Sequence, residues 1–396
     1  MSGLVLRAAR VLTGGGILEP GEVGIDLEAG VVSSLGPPGG DREGRQLGEH
    51  LVAPGFVDVH VHGGDGADVN GVDPASLAES LDRLSRFHAA HGTTTMLATT
   101  VSDTPERLAA SLTAIAAAAR RRLPGGRIAG AHLEGPFLAP SRRGAQDPST
   151  LRPPDPGELD RLLGLASGSL AMVTLAPELP GAGELIGRLR REGVVVALGH
   201  SDADFETAEA AFEAGASHVT HLFNAMAPLH HRRPGLVGAA LRRRDVTLEL
   251  VADLHHVHPA VMALVARLAP GRVVAVTDCT PAAGLPPGRR RLGRLEVVLE
   301  GDRVALADEP GTLAGSVLTM DRAVANLVSH AGLPLEEALA AATAVPGRLL
   351  ERAGLPGAGQ LAVGGPADLV VLGPGLEVAA TMVAGRAVHD PAGLLR

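Results

Sequence analysis

The chain of 396 residues contains no lysine, no tryptophan and no tyrosine, and one cysteine, Cys279. Each absence excludes something. All 35 basic residues are arginine, so there is no Schiff-base lysine, no P-loop lysine and no carbamylated lysine to bridge two metal ions. With six Phe as the only aromatic carbocycles, a sugar or aromatic ligand must be held mainly by hydrogen bonds. A single cysteine excludes an internal disulfide and fits a reducing, cytoplasmic compartment. No uninterrupted apolar run approaches the ~18 residues of a bilayer span. Near the N-terminus, Arg7, Arg10 and the glycines at 14–16 interrupt any signal-peptide core. Acidic residues outnumber basic ones 44 to 35, for a formal charge of −9, and no basic block occurs. Nucleic acid and anionic membranes are therefore poor partners, and a small molecule is the expected one.

What is present is a hydrophobic fraction of 45% with 20% charged residues, as expected of a globular enzyme with a sizeable core. Residues 1–53 read as short strands separated by glycine turns, and residues 367–372 and 378–383 have the same texture. Chain termini often lie near each other, so the two ends can close into one small β domain. The middle of the chain repeats a different unit. Apolar, β-rich runs at 55–60, 93–98, 128–133, 171–175, 194–198, 217–221, 246–251 and 272–277 are each followed by a polar cluster and a helical pattern. Continuous apolar strands alternating with helices indicate a parallel sheet buried on both faces. Eight such units predict an α/β fold, a (β/α)8 TIM-like barrel. The expected division is a small β-sandwich domain from residues 1–53 and 357–396 and a barrel over 54–356.

In such a barrel, chemistry collects where strands end, and metal-ligating residue types stand there. His60 and His62 close the first run, Glu134 follows the third, His200 follows the fifth, His221 ends the sixth, His256 follows the seventh and Asp278 follows the eighth. An i, i+2 histidine pair on a strand points two imidazoles to one face, as a borderline divalent cation requires. Alone, His60-Val61-His62 would more often be two polar residues at a strand end; with ligand types at equivalent positions the balance reverses. Glu134 can bridge two cations where other barrels use a modified lysine. Asp278, beside a cation, can take a proton from activated water and deliver it to a leaving group. Cys279 is read as a small packed residue, not a nucleophile. In the segment 252–258, one of His255, His256 and His258 could donate to a developing oxyanion, the others being helix-start or surface residues. The basic loop around Arg232 offers a guanidinium fork in a chain without lysine.

These segments together resemble the N-acetylglucosamine-6-phosphate deacetylases of the amidohydrolase superfamily. The resemblance runs through Ala53-Pro54-Gly55-Phe56-Val57-Asp58, His132-Leu133-Glu134-Gly135-Pro136-Phe137, Gly199-His200-Ser201, Thr220-His221-Leu222-Phe223-Asn224-Ala225-Met226, Arg232-Arg233-Pro234-Gly235-Leu236, Thr277-Asp278 and Leu313-Ala314-Gly315-Ser316. It implies that Glu134, His200 and His221 bind a metal, and that His60 and His62 let the site hold two. Zinc is the first expectation, with iron or manganese as alternatives. It further implies Asp278 as general base and acid, and His256 polarising the amide carbonyl or contacting the sugar. Ala145, Gln146, Asn224 and Ala225 would meet the substrate, Arg232 its phosphate, and Leu313, Ala314 and Gly315 would close over the acetyl side. The implied protein is a homodimer. The expected reaction is hydrolysis of N-acetylglucosamine 6-phosphate to glucosamine 6-phosphate and acetate. The alternatives are an unphosphorylated or epimeric acetylated amino sugar, or an N-acyl amino acid. A non-catalytic barrel is the third reading, though it would be expected to lack part of the ligand set. Two departures stand out: Gln146 occupies a position where the family commonly has histidine, and Asp253-Leu254-His255-His256 replaces Asp-Gly-Leu-His. A neutral glutamine predicts a weaker phosphate preference than a cationic side chain would give.

Overall fold

The computed structural model describes residues 3–39 and 43–396; residues 1, 2 and 40–42 of the expected N-terminal β segment lie outside the described residues. Eight parallel strands form one sheet. They are β1 (Phe56–Val61), β2 (Thr93–Thr100), β3 (Arg127–Glu134), β4 (Leu170–Leu175), β5 (Val195–Leu198), β6 (His218–Val219), β7 (Thr247–Val251) and β8 (Val273–Val276). The sheet closes on itself just past the strand ends. Val61 bridges to Cys279, the Asp278 N–H donates to the His60 carbonyl at 3.0 Å, and the His62 N–H donates to the Cys279 carbonyl at 2.9 Å. This is the (β/α)8 barrel anticipated above.

Helices surround it, and their starts follow a simple chemical rule. Asp73, Thr104, Asp155 and His258 cap helices α1 (Pro74–Ala90), α2 (Pro105–Ala119), α3 (Pro156–Ala166) and α7 (Pro259–Leu268), each with proline in the first turn. A side-chain acceptor satisfies an N–H that the helix leaves free, and proline has none to lose. The helices α4 (Ala182–Arg191), α5 (Phe205–Ala214), α6 (Gly235–Arg242), α8 (Met320–Ser329), α9 (Leu335–Ala342) and α10 (Ala344–Arg352) complete the shell. No helix among the described residues is long and apolar enough to cross a membrane.

The two chain ends build two further sheets. One has four strands, including Gly3–Ala8, Gly21–Asp26 and Val31–Gly36; the other has six, in which Leu369–Leu372 pairs with both Leu51–Pro54 and Val378–Val383. Side chains alternate faces along a strand. Val52, Leu369 and Val371 pack with Leu6, Val23 and Ile25 in the core between the two sheets. Their neighbours Leu51, Ala53, Val370 and Leu372 join the barrel core instead. The six-stranded sheet is thus buried on both faces, which explains its unbroken apolar strands. A third element was not anticipated. Between β8 and α8, the strands Gly288–Leu292, Leu295–Glu300 and Arg303–Leu306 form an antiparallel sheet with a small core of its own.

Candidate metal centre and active site

The barrel interior is polar at alternate strand positions. Asp58 accepts from the Thr277 hydroxyl at 2.6 Å, His132 Nε2 lies 2.7 Å from Thr174 Oγ1, and His60 Nδ1 meets Glu249 Oε2 at 3.0 Å. Above this layer, at the C-terminal mouth, six of the residues singled out from sequence converge. His60 Nε2 and His62 Nε2 are 3.0 Å apart, and His200 Nε2 and His221 Nε2 are 3.1 Å apart. Glu134 lies between the pairs: Oε1 is 3.1 Å from both His200 and His221, and Oε2 is 3.5 Å from His62. Asp278 Oδ1 sits 3.2 Å from His62 Nε2 and 3.6 Å from His60 Nε2. All six side chains are buried.

The backbone here is bent for the purpose. His200, His221 and Asp278 have φ of 47°, 28° and 50°, the left-handed region that costs a non-glycine residue about 1–3 kcal/mol. These turns aim side chains from strand ends across the mouth. For His221 the turn explains a difference from expectation: β6 ends at Val219, so the residue stands beyond the strand, and its N–H is captured by Glu249 Oε2 at 2.9 Å.

Whether the donors suit a cation is decided by their outer nitrogens. His60 Nδ1 faces the Glu249 carboxylate, His62 Nδ1 the Thr99 carbonyl at 3.0 Å and His200 Nδ1 the Arg142 carbonyl at 2.9 Å. Each outer nitrogen therefore carries a proton, so Nε2 is the nitrogen each ring would offer to a cation. Such acceptors are what orient metal-binding imidazoles. Among the described residues the buried Nδ1 of His221 finds no partner. The donors of His60, His62 and Glu134, and of Glu134, His200 and His221, are close enough to share an ion. The set fits one or two divalent cations. Burial pushes the Glu134 carboxyl up, but the surrounding histidines more than offset it and hold it well below its ordinary range. Asp278 follows the same pattern: burial raises it, and His60 and His62 bring it below.

A cavity of about 260 Å³ opens above this floor. His62, Glu134, His200, His221, Ala145, Gln146, Asn224, Ala225, His256, Asp278, Leu313 and Gly315 all line it. His60 lies buried beneath. Leu292 of the three-stranded sheet and residues 311–313, on the segment that follows it and bridges back to Ala305 through Leu313, roof the cavity. The dense histidine segment is separated by role. His258 caps α7, His255 pairs on the surface with Asp302 at 2.9 Å, and His256 faces the cavity with Nδ1 held by Asp253 Oδ2 at 2.6 Å. Cys279 is buried, and burial raises its thiol well above the ordinary range.

Two expected contacts are placed elsewhere. Ala314 does not line the cavity: it is fully buried, packs into the core of the three-stranded sheet, and its N–H donates to the Val304 carbonyl at 3.1 Å. Arg232 is exposed and lines a neighbouring cavity with Arg142 and Asp202, its guanidinium 2.8 Å from His231 Nε2. Gln146 lines the cavity, yet both ends of its amide are engaged. Nε2 donates to Glu134 Oε2 at 2.7 Å, and Oε1 accepts from the Ser102 N–H at 2.7 Å. It acts here as a brace on Glu134. Sequence reasoning missed Glu249 and Asp253. The signals were a lone acid inside the apolar run Thr247-Leu248-Glu249-Leu250-Val251, and an aspartate three residues before His256.

The amidohydrolase family model matches residues 51–388. An N-acetylgalactosamine-6-phosphate deacetylase of Escherichia coli O157:H7 is 40% identical over 383 residues, 96% of this chain and 98% of the relative. The N-acetylglucosamine-6-phosphate deacetylase of Vibrio furnissii is 36% identical over 98% of this chain and 95% of its own length. Among solved structures, a mutant N-acetyl-D-glucosamine-6-phosphate deacetylase from Mycobacterium smegmatis, in complex with N-acetyl-D-glucosamine-6-phosphate, superposes with a TM-score of 0.92 at 39% identity, over 98% of this chain and all of that one.

Proposed function

From the premise that the chain belongs to the amidohydrolase family, we propose that it hydrolyses the acetamide of N-acetylglucosamine 6-phosphate to glucosamine 6-phosphate and acetate. The observation that carries this reading is the convergence of Glu134, His200, His221, His60 and His62 on one point, with Asp278 Oδ1 at its edge.

A divalent cation bound there would polarise the acetamide carbonyl and make water more acidic. Glu134, His200 and His221 would hold one such ion, and His60, His62 and Glu134 a second, with zinc, iron and manganese all suited to this donor set. Asp278 takes a proton from the attacking water as its oxygen bonds to the carbonyl carbon. It then returns that proton to the nitrogen as the C–N bond breaks, releasing acetate and the free amine. His256 steadies the charge that develops on the carbonyl oxygen. Its Nδ1 is held by Asp253 Oδ2 at 2.6 Å, which leaves Nε2 as the nitrogen for that contact. Ala145, Asn224, Ala225, Leu313 and Gly315 bound the sugar. Arg232 grips the phosphate from the neighbouring cavity, with its rotamer turned away from His231 or with help from a second subunit of a homodimer. The reading places the enzyme in the cytoplasm. It divides the chain into a β domain of residues 1–53 and 357–396 and a barrel of 54–356.

The 40% identity to an N-acetylgalactosamine-6-phosphate deacetylase favours the C4 epimer as a second substrate. The test is acetate release from N-acetylglucosamine 6-phosphate, its C4 epimer and unphosphorylated N-acetylglucosamine. kcat/KM should be higher with phosphate than without. Arg232→Ala should raise KM for the phosphorylated sugar more than for the free one. Equal kcat/KM for the two sugars, or preference for the free sugar, overturns the phosphate assignment; absence of acetate from all three overturns the reaction.

A further inference from the structure

Glu249 is a buried charge that the proposed reaction does not touch. It projects from β7 into the barrel interior and is fully buried. Both oxygens are saturated with donors. Oε2 accepts from His60 Nδ1 at 3.0 Å and from the His221 N–H at 2.9 Å. Oε1 accepts from His218 Nε2 at 2.8 Å, and the other nitrogen of His218 meets Thr247 Oγ1 at 2.7 Å.

Two of these donors belong to the two cation positions. His60 is grouped with His62 and Glu134; His221 is grouped with Glu134 and His200. An imidazole has two nitrogens. When Nδ1 keeps its proton and donates it in a hydrogen bond to Glu249, Nε2 is the nitrogen left to ligate, 3.0 Å from His62 Nε2. His62 and His200 rest on neutral carbonyls, whereas His60 rests on a carboxylate, the stronger partner. We propose that Glu249 is the positioning residue for the second cation: it fixes the His60 tautomer that can ligate through Nε2, and it holds the left-handed backbone of His221 so that both positions keep their spacing. The inference rests on the functional reading above.

Glu249 could itself be taken for a ligand, because its oxygen and the nitrogens of His60 and His132 lie near one another. Existing bonds argue against this. His132 Nδ1 is 3.0 Å from the Val59 carbonyl and Nε2 is 2.7 Å from Thr174 Oγ1, so neither is free.

Glu249→Gln separates the possibilities. A glutamine of the same size has one neutral oxygen in place of two charged ones: turned toward His60 and the His221 N–H it loses the charge-assisted hold on Nδ1, and turned toward His218 it faces both with an amide N–H and leaves them without an acceptor. Protein dialysed against a zinc buffer and assayed by elemental analysis should hold two ions per chain as wild type. The Glu249→Gln variant should hold one, with affinity at the weaker position lowered about 10–100-fold. Glu249→Asp, which keeps the charge, should recover part of that loss. A merely structural role would lower the denaturation midpoint of the metal-free protein and leave zinc stoichiometry and affinity unchanged. Two ions at wild-type affinity in Glu249→Gln, or a single ion in wild type, overturns the inference. Wild type that takes up no zinc, iron or manganese overturns the functional reading and the inference with it. Should Glu249→Gln fail to fold, nitrogen NMR of the zinc-loaded wild type decides. His60 must keep its Nδ1 proton and bind through Nε2; coordination through Nδ1 sinks the idea.

Discussion

The floor and the roof of the cavity are built in different ways. On the floor the chemical groups are buried, and hydrogen bonds tie several of them across the barrel: Asp58 to Thr277, His60 to Glu249, His132 to Thr174. The roof is a three-stranded sheet clipped to the barrel rim by partly exposed ion pairs, Arg143 with Glu309, Arg294 with Asp147 and His255 with Asp302. Interactions in the dry interior are strong and geometrically fixed, while exposed pairs are weak and screened. Reactivity should therefore be set below and access above. The largest expected effect tests that division directly. Asp278→Asn keeps the volume of the side chain but cannot accept a proton, so kcat should fall about 10²–10⁴-fold with the far-ultraviolet spectrum and zinc content unchanged. Turnover within a few-fold of wild type would demote Asp278 and break the contrast at its strongest point.

Next in size is the cation. Nε2 atoms at 3.0–3.1 Å from one another have little to gain from each other unless something positive sits among them. A ligand present at 100 times its dissociation constant stabilises the folded state by about 2.7 kcal/mol. Chelation should accordingly lower the thermal midpoint and abolish acetate release, and zinc should restore both. A midpoint that does not move would mean that the histidine and carboxylate contacts already compensate one another without an ion.

The two regions also differed in how far they could be read from sequence. The floor was legible because a parallel barrel has a strong signature: apolar strands at regular spacing, with His60, Glu134, His200, His221 and Asp278 at or just past their ends. The sandwich was legible for a related reason, since Leu369-Val370-Val371-Leu372 is apolar on both faces and is buried on both. The roof was not. Its strands carry Arg289, Arg290 and Arg291, and the run Glu296-Val297-Val298-Leu299-Glu300 shows no polar alternation although it buries only Val297 and Leu299; the Gly301-Asp302 turn was available, but the arginines masked the strands around it. For Gln146 and Arg232 the sequence tells less than their surroundings do. Residue type shows what a side chain can offer and is silent on whether a neighbour such as Ser102 or His231 has already claimed it.

Asp253 stands at the boundary between the regions, on a rim loop with its side chain 7% exposed, and it predicts a pH effect. Burial raises its carboxyl, but the hydrogen bond and charge of His256, with the N–H groups of His255 and His256, bring it below the ordinary value. A carboxylate whose pKa is depressed on folding binds its proton more weakly in the folded state. Its contribution to stability is complete above the unfolded value near ~3.9 and is lost as pH falls through the folded one. Denaturant midpoints measured from pH 6 downward should decline more steeply in wild type than in Asp253→Asn below about pH 4. Identical slopes would show that the His256 contact does not favour the ionised form.

The smallest effect belongs to the roof. The Arg143 and Glu309 side chains are 27% and 49% exposed, so water screens their attraction and both lose rotamer freedom in meeting. A double-mutant cycle with Arg143→Ala and Glu309→Ala should give a coupling below about 1 kcal/mol, shrinking further as salt is raised. The pair joins the loop before Ala145 and Gln146 to the segment before Leu313, two walls of the cavity. Loosening it should change how readily sugar enters and leaves, raising KM a few-fold, and leave kcat near wild type because no floor group moves. If Arg143→Ala instead lowered kcat as far as Asp278→Asn does, closure of the roof would belong to the chemical step, and the separation of a reactive floor from a gating roof would have to be given up.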